Sequence, residues 1–253
     1  MIKDDSQDKI TIQEHLQELR KRLICSIIVF IIVLMPCYFF SSNIYNILLI
    51  PLKKSLDYSQ IRDISLIYTD ITEVFFVYLK VSILTAIMIA MPFFLWQIYA
   101  FIAPGLYKQE KKVFVPYLIL TPFLFGFGVF MVYQYIFPIA WQFFLHTSHK
   151  SNTLLEIEFM PSVSEYLDLV VQLMIAFGLA FQLPIFLSLS VQFKIISVSF
   201  LESKRRLAIV IIFVLASILT PPDVFSQITL AIPMIILYEA SILLCKYVHN
   251  KKK

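Results

Sequence analysis

The sequence predicts an all-α membrane protein, one integral membrane domain over residues 1–253 with six transmembrane helices in a curved bundle and both termini in the cytoplasm. Of its 253 residues 59% are hydrophobic and four are glycine, whereas about half the residues of a soluble domain are apolar. The apolar residues form six stretches, and a helix needs about 20 of them to cross a bilayer. Sixteen of the 21 Lys and Arg residues fall in the terminal segments and alternate loops, against four in the other loops. Because positive residues stay in the cytoplasm, both termini are placed there.

The first three spans are predicted at 23–40, 74–98 and 113–137. The first is expected to remain in the mature protein because no small-residue cleavage site follows it. The segments 43–52 and 138–145 are apolar with aromatic anchors, a composition that predicts short helices lying at the outer interface. Lys80 is near the start of the second span, and we expect its ammonium group to reach outward to the surface.

The last three spans are predicted at 167–193, 207–219 and 228–244. The fifth would reach only about 20 Å at 1.5 Å per residue, against a hydrocarbon core of about 30 Å. We therefore expect short fifth and sixth spans that thin the bilayer locally or end below its outer surface. Prolines in or near most spans predict bent helices and a curved bundle; they are Pro36, Pro92, Pro122, Pro184 and Pro233.

The sequence lacks the motifs of several enzyme classes. It contains no Gly-x-x-x-x-Gly-Lys phosphate loop, no His-Glu-x-x-His zinc motif and no Gly-x-Ser-x-Gly elbow. The three cysteines lie within or at the ends of spans, where cysteine behaves as a small apolar residue. We expect no catalytic site, no metal, no cofactor and no nucleic-acid partner.

Two acidic residues, Glu18 and Glu110, each stand among Lys and Arg residues at the start of an apolar stretch. Carboxylates in that position can receive a cationic ligand from the cytoplasm. The alternative is that each acid only neutralises its neighbours. Glu18 lies four residues before Arg22, the spacing of an intrahelical ion pair, and Glu110 precedes Lys111 and Lys112.

Four motifs resemble those of the TatC family, the multi-span receptor subunit of the twin-arginine protein translocase. They are HLQELRKR at 15–22, AFIAPGLY with the following glutamate at 100–110, TPPDVFSQ at 220–227, and AIPM with LYE at 231–239. The resemblance covers nearly the whole chain, and the first three motifs are specific in combination.

The resemblance implies that Glu18 and Glu110 mark a cytoplasmic site for the paired arginines of a signal peptide, with Arg20, Phe101 and Leu106 in the same neighbourhood. It implies a receptor that organises export of folded precursor proteins across the bacterial inner membrane, driven by the proton-motive force. The partners implied are twin-arginine signal peptides, single-span subunits of the TatA or TatB type, the lipid bilayer, and further copies of this chain in a homo-oligomer.

The family resemblance also implies roles for residues outside the signal-peptide site. Pro51, Pro92 and Asp223 fall at family-important positions that we interpret as structural, and Glu239 belongs to the fourth motif. Thr220 and Gln227 resemble the region where single-span partners dock. Gln182 stands where the family often has an acid in the fourth span, so a contact that needs a negative charge there is expected to be altered.

Two other function classes stay open from the residues alone. A small-solute secondary transporter should show a weak internal repeat of its spans, and none is visible between the halves. For proton-coupled transport, Glu239 is the one candidate buried acid. An intramembrane enzyme needs a catalytic constellation, which is missing from the sequence.

Overall fold

The computed structural model describes residues 12–58, 66–102, 108–149, 160–219 and 224–251. Only the backbone is described at some positions within these ranges, namely 12–15, 58, 102, 108–113, 146–149, 225–226 and 247–251. Two of the predicted site residues, Leu106 and Thr220, and the predicted structural residue Asp223 lie outside the described residues altogether.

The described chain is helical, apart from one isolated bridge between two extended segments. In chain order the helices are α1 Ile12–Phe39, α2 Ser41–Tyr58, α3 Glu73–Ile102, α4 Lys108–Met131, α5 Phe137–His149, α6 Val163–Ala180, α7 Leu183–Gln192, α8 Val198–Ser203, α9 Arg205–Leu219 and α10 Val224–Lys251. The all-α prediction is confirmed.

Five stretches of the described chain are long and apolar enough to cross a membrane. They are Leu16–Phe39, Glu73–Phe101, Phe114–Leu145, Val163–Gln192 and Gln227–Lys246. The predicted fifth span corresponds to α9, which has 15 residues and is therefore about 22 Å long. The apolar part of α10 has 20 residues, so the shortness predicted for the sixth span is not observed.

Side-chain contacts show that α1 and α3 run antiparallel. Arg22 near the start of α1 donates to Gln97 near the end of α3, and the rings of Tyr38 and Phe75 meet at the other end of the pair, 6.4 Å apart. We call the side where α1 begins and α3 ends the amino-terminal face. α4 also begins there, since Phe114 stacks on Tyr99 with ring centroids 5.5 Å apart.

Three boundaries differ from the predicted spans. α1 begins at Ile12, so the motif at 15–22 is part of the first long helix. α4 continues through a π-helical turn, Val132–Ile136, directly into α5. The fourth stretch is interrupted between α6 and α7 at Phe181 and Gln182, because Pro184 in the first turn of α7 has no backbone N–H to continue the hydrogen bonds of α6.

The carboxy-terminal end of α9 lies beside the middle of α6 and not beside its start. Gln172 on α6 donates to the carbonyl of Ile218, one residue before α9 ends, at 3.4 Å. Gln172 is nine residues along α6 from Val163, which corresponds to about 13.5 Å of helix. A short fifth span was predicted, and in the structure α9 ends beside the middle of α6.

α4 and α6 pack at close range because two glycines remove side chains from their contact. A Cβ atom added to Gly178 would lie 2.4 Å from the ring of Phe125, and one added to Gly128 would lie 2.8 Å from the carbonyl oxygen of Phe177. Both phenylalanines are buried. Neither glycine can be replaced without moving a helix or a packed ring.

A buried glutamate that the sequence analysis did not single out joins two segments on the face opposite the amino-terminal face. Glu73, at the start of α3, is 5% exposed. Its Oε1 accepts from the Ser162 hydroxyl at 2.7 Å and the Ser164 amide at 2.6 Å. Its Oε2 accepts from the Thr69 amide at 2.5 Å. One carboxylate thus connects the start of α6 to the segment before α3.

Replacing Glu73 with Gln should lower the thermal unfolding midpoint of the purified protein by several degrees. The amide keeps the shape of the side chain, but its NH2 group donates, so backbone N–H groups that now bond to the carboxylate would meet a donor. The matched control is Glu165→Gln, because Glu165 is an exposed acid in the first turn of α6. An equal response of the two variants would contradict a connecting role for Glu73.

Candidate functional site

The first acid of the predicted site forms an ion pair within its own helix. Arg22 Nε and Nη2 both donate to Glu18 Oε1, at 2.9 and 2.6 Å. The side chains of Arg22 and Glu18 keep 26% and 29% exposure, so the pair is partly shielded. The alternative interpretation from the sequence, an intrahelical pair, is therefore present in the structure, and any role for Glu18 in binding must start from this pair.

The same arginine reaches across to α3. Arg22 Nη1 donates to Gln97 Oε1 at 3.2 Å, and Gln97 Nε2 contacts the Cys25 sulfur at 3.7 Å. Two turns further along α1, Phe30 and Phe94 bring their rings to 6.3 Å. These contacts fix the amino-terminal half of α1 beside the carboxy-terminal half of α3, with the Glu18–Arg22 pair at their edge.

A groove of about 500 Å³ lies between these two helices. From α1 it is lined by Leu19, Arg22, Leu23, Ser26, Ile27 and Phe30, and from α3 by Phe94, Gln97, Ile98 and Phe101. Its walls are therefore apolar except for Arg22, Ser26 and Gln97. The volume is typical of a cavity that binds a ligand through apolar contact with a few polar groups. We call it the α1–α3 groove.

The structure brings one predicted site residue into this groove and leaves others beside it. Phe101 lines the groove together with Arg22, the partner of Glu18. Arg20 is exposed on α1. Two residues along a helix point to nearly opposite sides, so Arg20 does not share the face of Glu18 and Arg22.

The backbone of Glu110 lies in the first turn of α4, on the amino-terminal face. It is one helical turn before Phe114, whose ring stacks on Tyr99 of α3 with an angle of 20° between the planes. The start of α4 is thereby held against the end of α3, which also carries Phe101. The Glu110 side chain lies outside the described part.

The glutamines predicted at the partner-docking region bond to neighbouring helices. Gln227 Nε2 donates to the Phe213 carbonyl of α9 at 3.0 Å. Gln182 Nε2 donates to the Thr121 carbonyl of α4 at 3.2 Å and to the Gly178 carbonyl at 3.3 Å. The Oε1 atom of Gln182 is buried and has no hydrogen-bond partner within the described residues. An orphaned buried acceptor costs about 1–3 kcal/mol, which marks this position as unusual.

The remaining predicted residues lie in different parts of the bundle. Pro51 is buried in α2, where its carbonyl accepts from the Ser55 hydroxyl at 2.9 Å. Pro92 lies inside α3. Glu239 pairs with Arg205 of α9 at 3.2 Å, so the one acid considered for proton transfer is half-exposed and already bound to a cation on the amino-terminal face.

An acid in the fourth span, Asp168, was not among the residues predicted from the sequence. Lys80 Nζ lies 2.5 Å from Asp168 Oδ1, joining α3 to α6. Charged groups in a spanning segment are costly and usually pair with one another. The ammonium group of Lys80 therefore has a partner on α6, and both side chains stay partly exposed. Asp168 is visible in the sequence at the start of the predicted fourth span, but nothing local connects it to a lysine 88 positions away.

A family model for the Sec-independent protein translocase protein TatC matches residues 14–233. The chain is 45% identical over 240 residues to the Sec-independent protein translocase protein TatC of Rickettsia prowazekii strain Madrid E, covering 95% of this chain and 94% of the relative. It is 35% identical over 251 residues to the protein of the same name from Escherichia coli strain K12, covering 99% and 93%.

The fold also matches a solved structure described as the crystal structure of twin arginine translocase receptor TatC. The TM-score is 0.77 and the sequence identity 38%, over 92% of this chain and 99% of the solved chain. Fold and sequence therefore agree over almost the full length.

Proposed function

The chain belongs to the TatC family of Sec-independent protein translocase proteins, and from that premise we propose that it is the signal-peptide receptor of a twin-arginine translocase. In this role it recognises folded precursors by the paired arginines of their signals and organises their passage across the membrane. The observation that carries the proposal is the α1–α3 groove, an apolar cleft with the Glu18–Arg22 pair at its edge and the start of α4 held beside it.

Charge chemistry supports arginine as the recognised residue. A guanidinium group presents a planar fork that engages a carboxylate with two N–H groups, whereas the ammonium of lysine is a point charge. Glu18 already accepts two N–H groups from one guanidinium, so its surroundings accommodate that geometry. Glu110, in the first turn of α4, is the second acid that we assign to the signal.

The ion pairs alone are too weak to hold a signal peptide. An exposed pair contributes about 0–1 kcal/mol, while micromolar affinity requires about 8 kcal/mol. Burying about 300 Å² of apolar surface would contribute about 7.5 kcal/mol before the costs of association. We therefore assign most of the affinity to the apolar stretch of the signal lying in the α1–α3 groove against Phe101, and the selectivity to the acids.

The membrane arrangement that accompanies this function has one integral domain and six spans, with α9 as the short fifth span. The excess of Lys and Arg at the two termini and in alternate loops supports cytoplasmic termini. The amino-terminal face, with Glu18 and Phe101, then meets the cytoplasm, where precursors are made. The membrane concerned is the bacterial inner membrane.

The described bundle has a packed hydrophobic core, and we assign passage across the membrane to partner subunits that assemble with it. Single-span subunits of the TatA or TatB type would dock near Gln182 and the α9–α10 hairpin that carries Gln227. Gln182 is held between α4 and α6 by its bonds to Thr121 and Gly178, so a partner that docks there would contact the surface around these two helices. Further copies of this chain complete the complex, and the proton-motive force drives transport.

Deleting the gene in its host is expected to block export of folded, cofactor-containing proteins with paired-arginine signals. Precursors should accumulate in the cytoplasm, as measured by fractionation and activity of one such enzyme. Proteins that are exported as unfolded chains, with signals that lack the paired arginines, should still be exported, and they serve as the control. A strain that exports these precursors normally but fails to take up one solute would favour the transporter alternative.

A further inference from the structure

We propose that Arg22 is an internal competitor for Glu18, occupying in the unliganded protein the place that an arginine of the signal takes when it binds. Binding is then an exchange of one guanidinium for another. This inference rests on the proposed function and adds to it a residue that sets the affinity and the release of the signal.

The geometry of the pair carries the inference. Both N–H contacts from Arg22 fall on one carboxylate oxygen, Glu18 Oε1, whereas the strongest arginine–carboxylate pair is a fork in which two parallel N–H groups engage the carboxylate. A signal arginine cannot engage both oxygens of Glu18 as a fork while Arg22 occupies Oε1. The pair is also reachable, because both side chains keep more than a quarter of their surface exposed.

Arg22 has a second acceptor that remains when it leaves Glu18. Its Nη1 donates to Gln97 Oε1 on α3 at 3.2 Å, so an exchange does not strand a charged group without a partner beside the apolar groove. Gln97 therefore lowers the cost of displacement. Since Arg22 and Gln97 both line the α1–α3 groove, the exchange also changes the wall against which the apolar part of the signal lies.

An internal competitor has a defined consequence for binding. The signal arginine that meets Glu18 gains only part of the free energy of that contact, because the contact between Arg22 and Glu18 is lost at the same time. The affinity for the signal peptide is therefore lower. Its dissociation is faster because Arg22 can bind Glu18 again. A receptor that must pass its ligand onward benefits from such reversible capture.

The test measures the affinity of the full chain in lipid nanodiscs for a fluorescent peptide with two adjacent arginines followed by an apolar stretch. Arg22→Gln should raise the affinity about fivefold, the equivalent of about 1 kcal/mol, and should slow dissociation. The control is Lys21→Gln, which removes a neighbouring exposed cation with the same change in net charge, and should alter affinity less than about twofold.

A second pair of variants keeps the inference testable if Arg22→Gln is poorly folded. Arg22→Lys retains the charge but not the fork, and should give an intermediate gain. Gln97→Leu removes the second acceptor and should lower the affinity, but only when Arg22 is present, which a double-mutant cycle measures.

The outcomes separate the inference from the proposed function. Lower affinity in Arg22→Gln, or a gain no larger than in Lys21→Gln, would overturn the competitor role and indicate that Arg22 instead positions Glu18. If the wild-type protein binds a peptide with two glutamines in place of the arginines equally well, the proposed function itself fails.

Discussion

Replacing Gly178 with leucine is expected to lower the thermal unfolding midpoint by about 2–12 °C. Overpacking costs about 1–3 kcal/mol, and each kcal/mol moves the midpoint of a 150–250-residue protein by about 2–4 °C. The first carbon of the new side chain would already lie 2.4 Å from the ring of Phe125. That ring is 4% exposed and is packed on all sides, so α4 and α6 must separate. The shift would also move Gln182, which bonds to both helices.

The chain provides a matched control for this substitution. Gly126 is also in a membrane helix, but a Cβ added there meets nothing within 4 Å. Gly126→Leu should leave the midpoint unchanged or raise it slightly, since leucine favours helix more than glycine does. Equal losses in the two variants, measured by differential scanning fluorimetry in one detergent, would show that the α4–α6 contact does not depend on the absence of a side chain at Gly178.

Exchanging both acids of the amino-terminal face, Glu18→Gln and Glu110→Gln, should strongly lower the capture of a twin-arginine signal. An exposed ion pair contributes about 0–1 kcal/mol, so each single exchange should weaken binding by up to about fivefold, and the double exchange by up to about 25-fold. Capture is measured by crosslinking a precursor to the full chain in membrane vesicles. The amount of each variant in the membrane, measured by immunoblot, should not change.

Glu165→Gln is the control for this pair, because it removes one exposed carboxylate from α6 on the opposite face. Its crosslinking should match the wild type. Normal capture by the double variant would mean that the two acids only neutralise the neighbouring Lys and Arg residues. The signal would then bind at another site.

The sequence predicts the parts of this fold that depend on local pattern. Long apolar stretches specify helices, and the prediction of a short fifth span corresponds to α9 with its 15 residues. The spacing of Glu18 and Arg22 predicts their pair because both partners lie on one helix. Aromatic residues around 43–52 similarly indicate α2, which the structure extends to Ser41–Tyr58.

Features that depend on pairing between distant helices could not be predicted in this way. The groove exists because α1 lies against α3, which places Phe101 near Arg22 although about 80 residues separate them. Lys80 and Asp168 meet for a similar reason. Pro184 predicts a bend, and the structure shows a full break between α6 and α7 at Phe181 and Gln182.

Site-specific photocrosslinking tests the central claim, that a signal with paired arginines lies in the α1–α3 groove beside Glu18. A photoreactive residue at Ile27, inside the groove, is compared with one at Ile175, an exposed position on α6. The account predicts that the apolar stretch of the signal crosslinks to position 27, that exchange of its two arginines for lysines reduces this product, and that position 175 gives little. Crosslinks chiefly at position 175, or at position 27 regardless of the arginines, would contradict it.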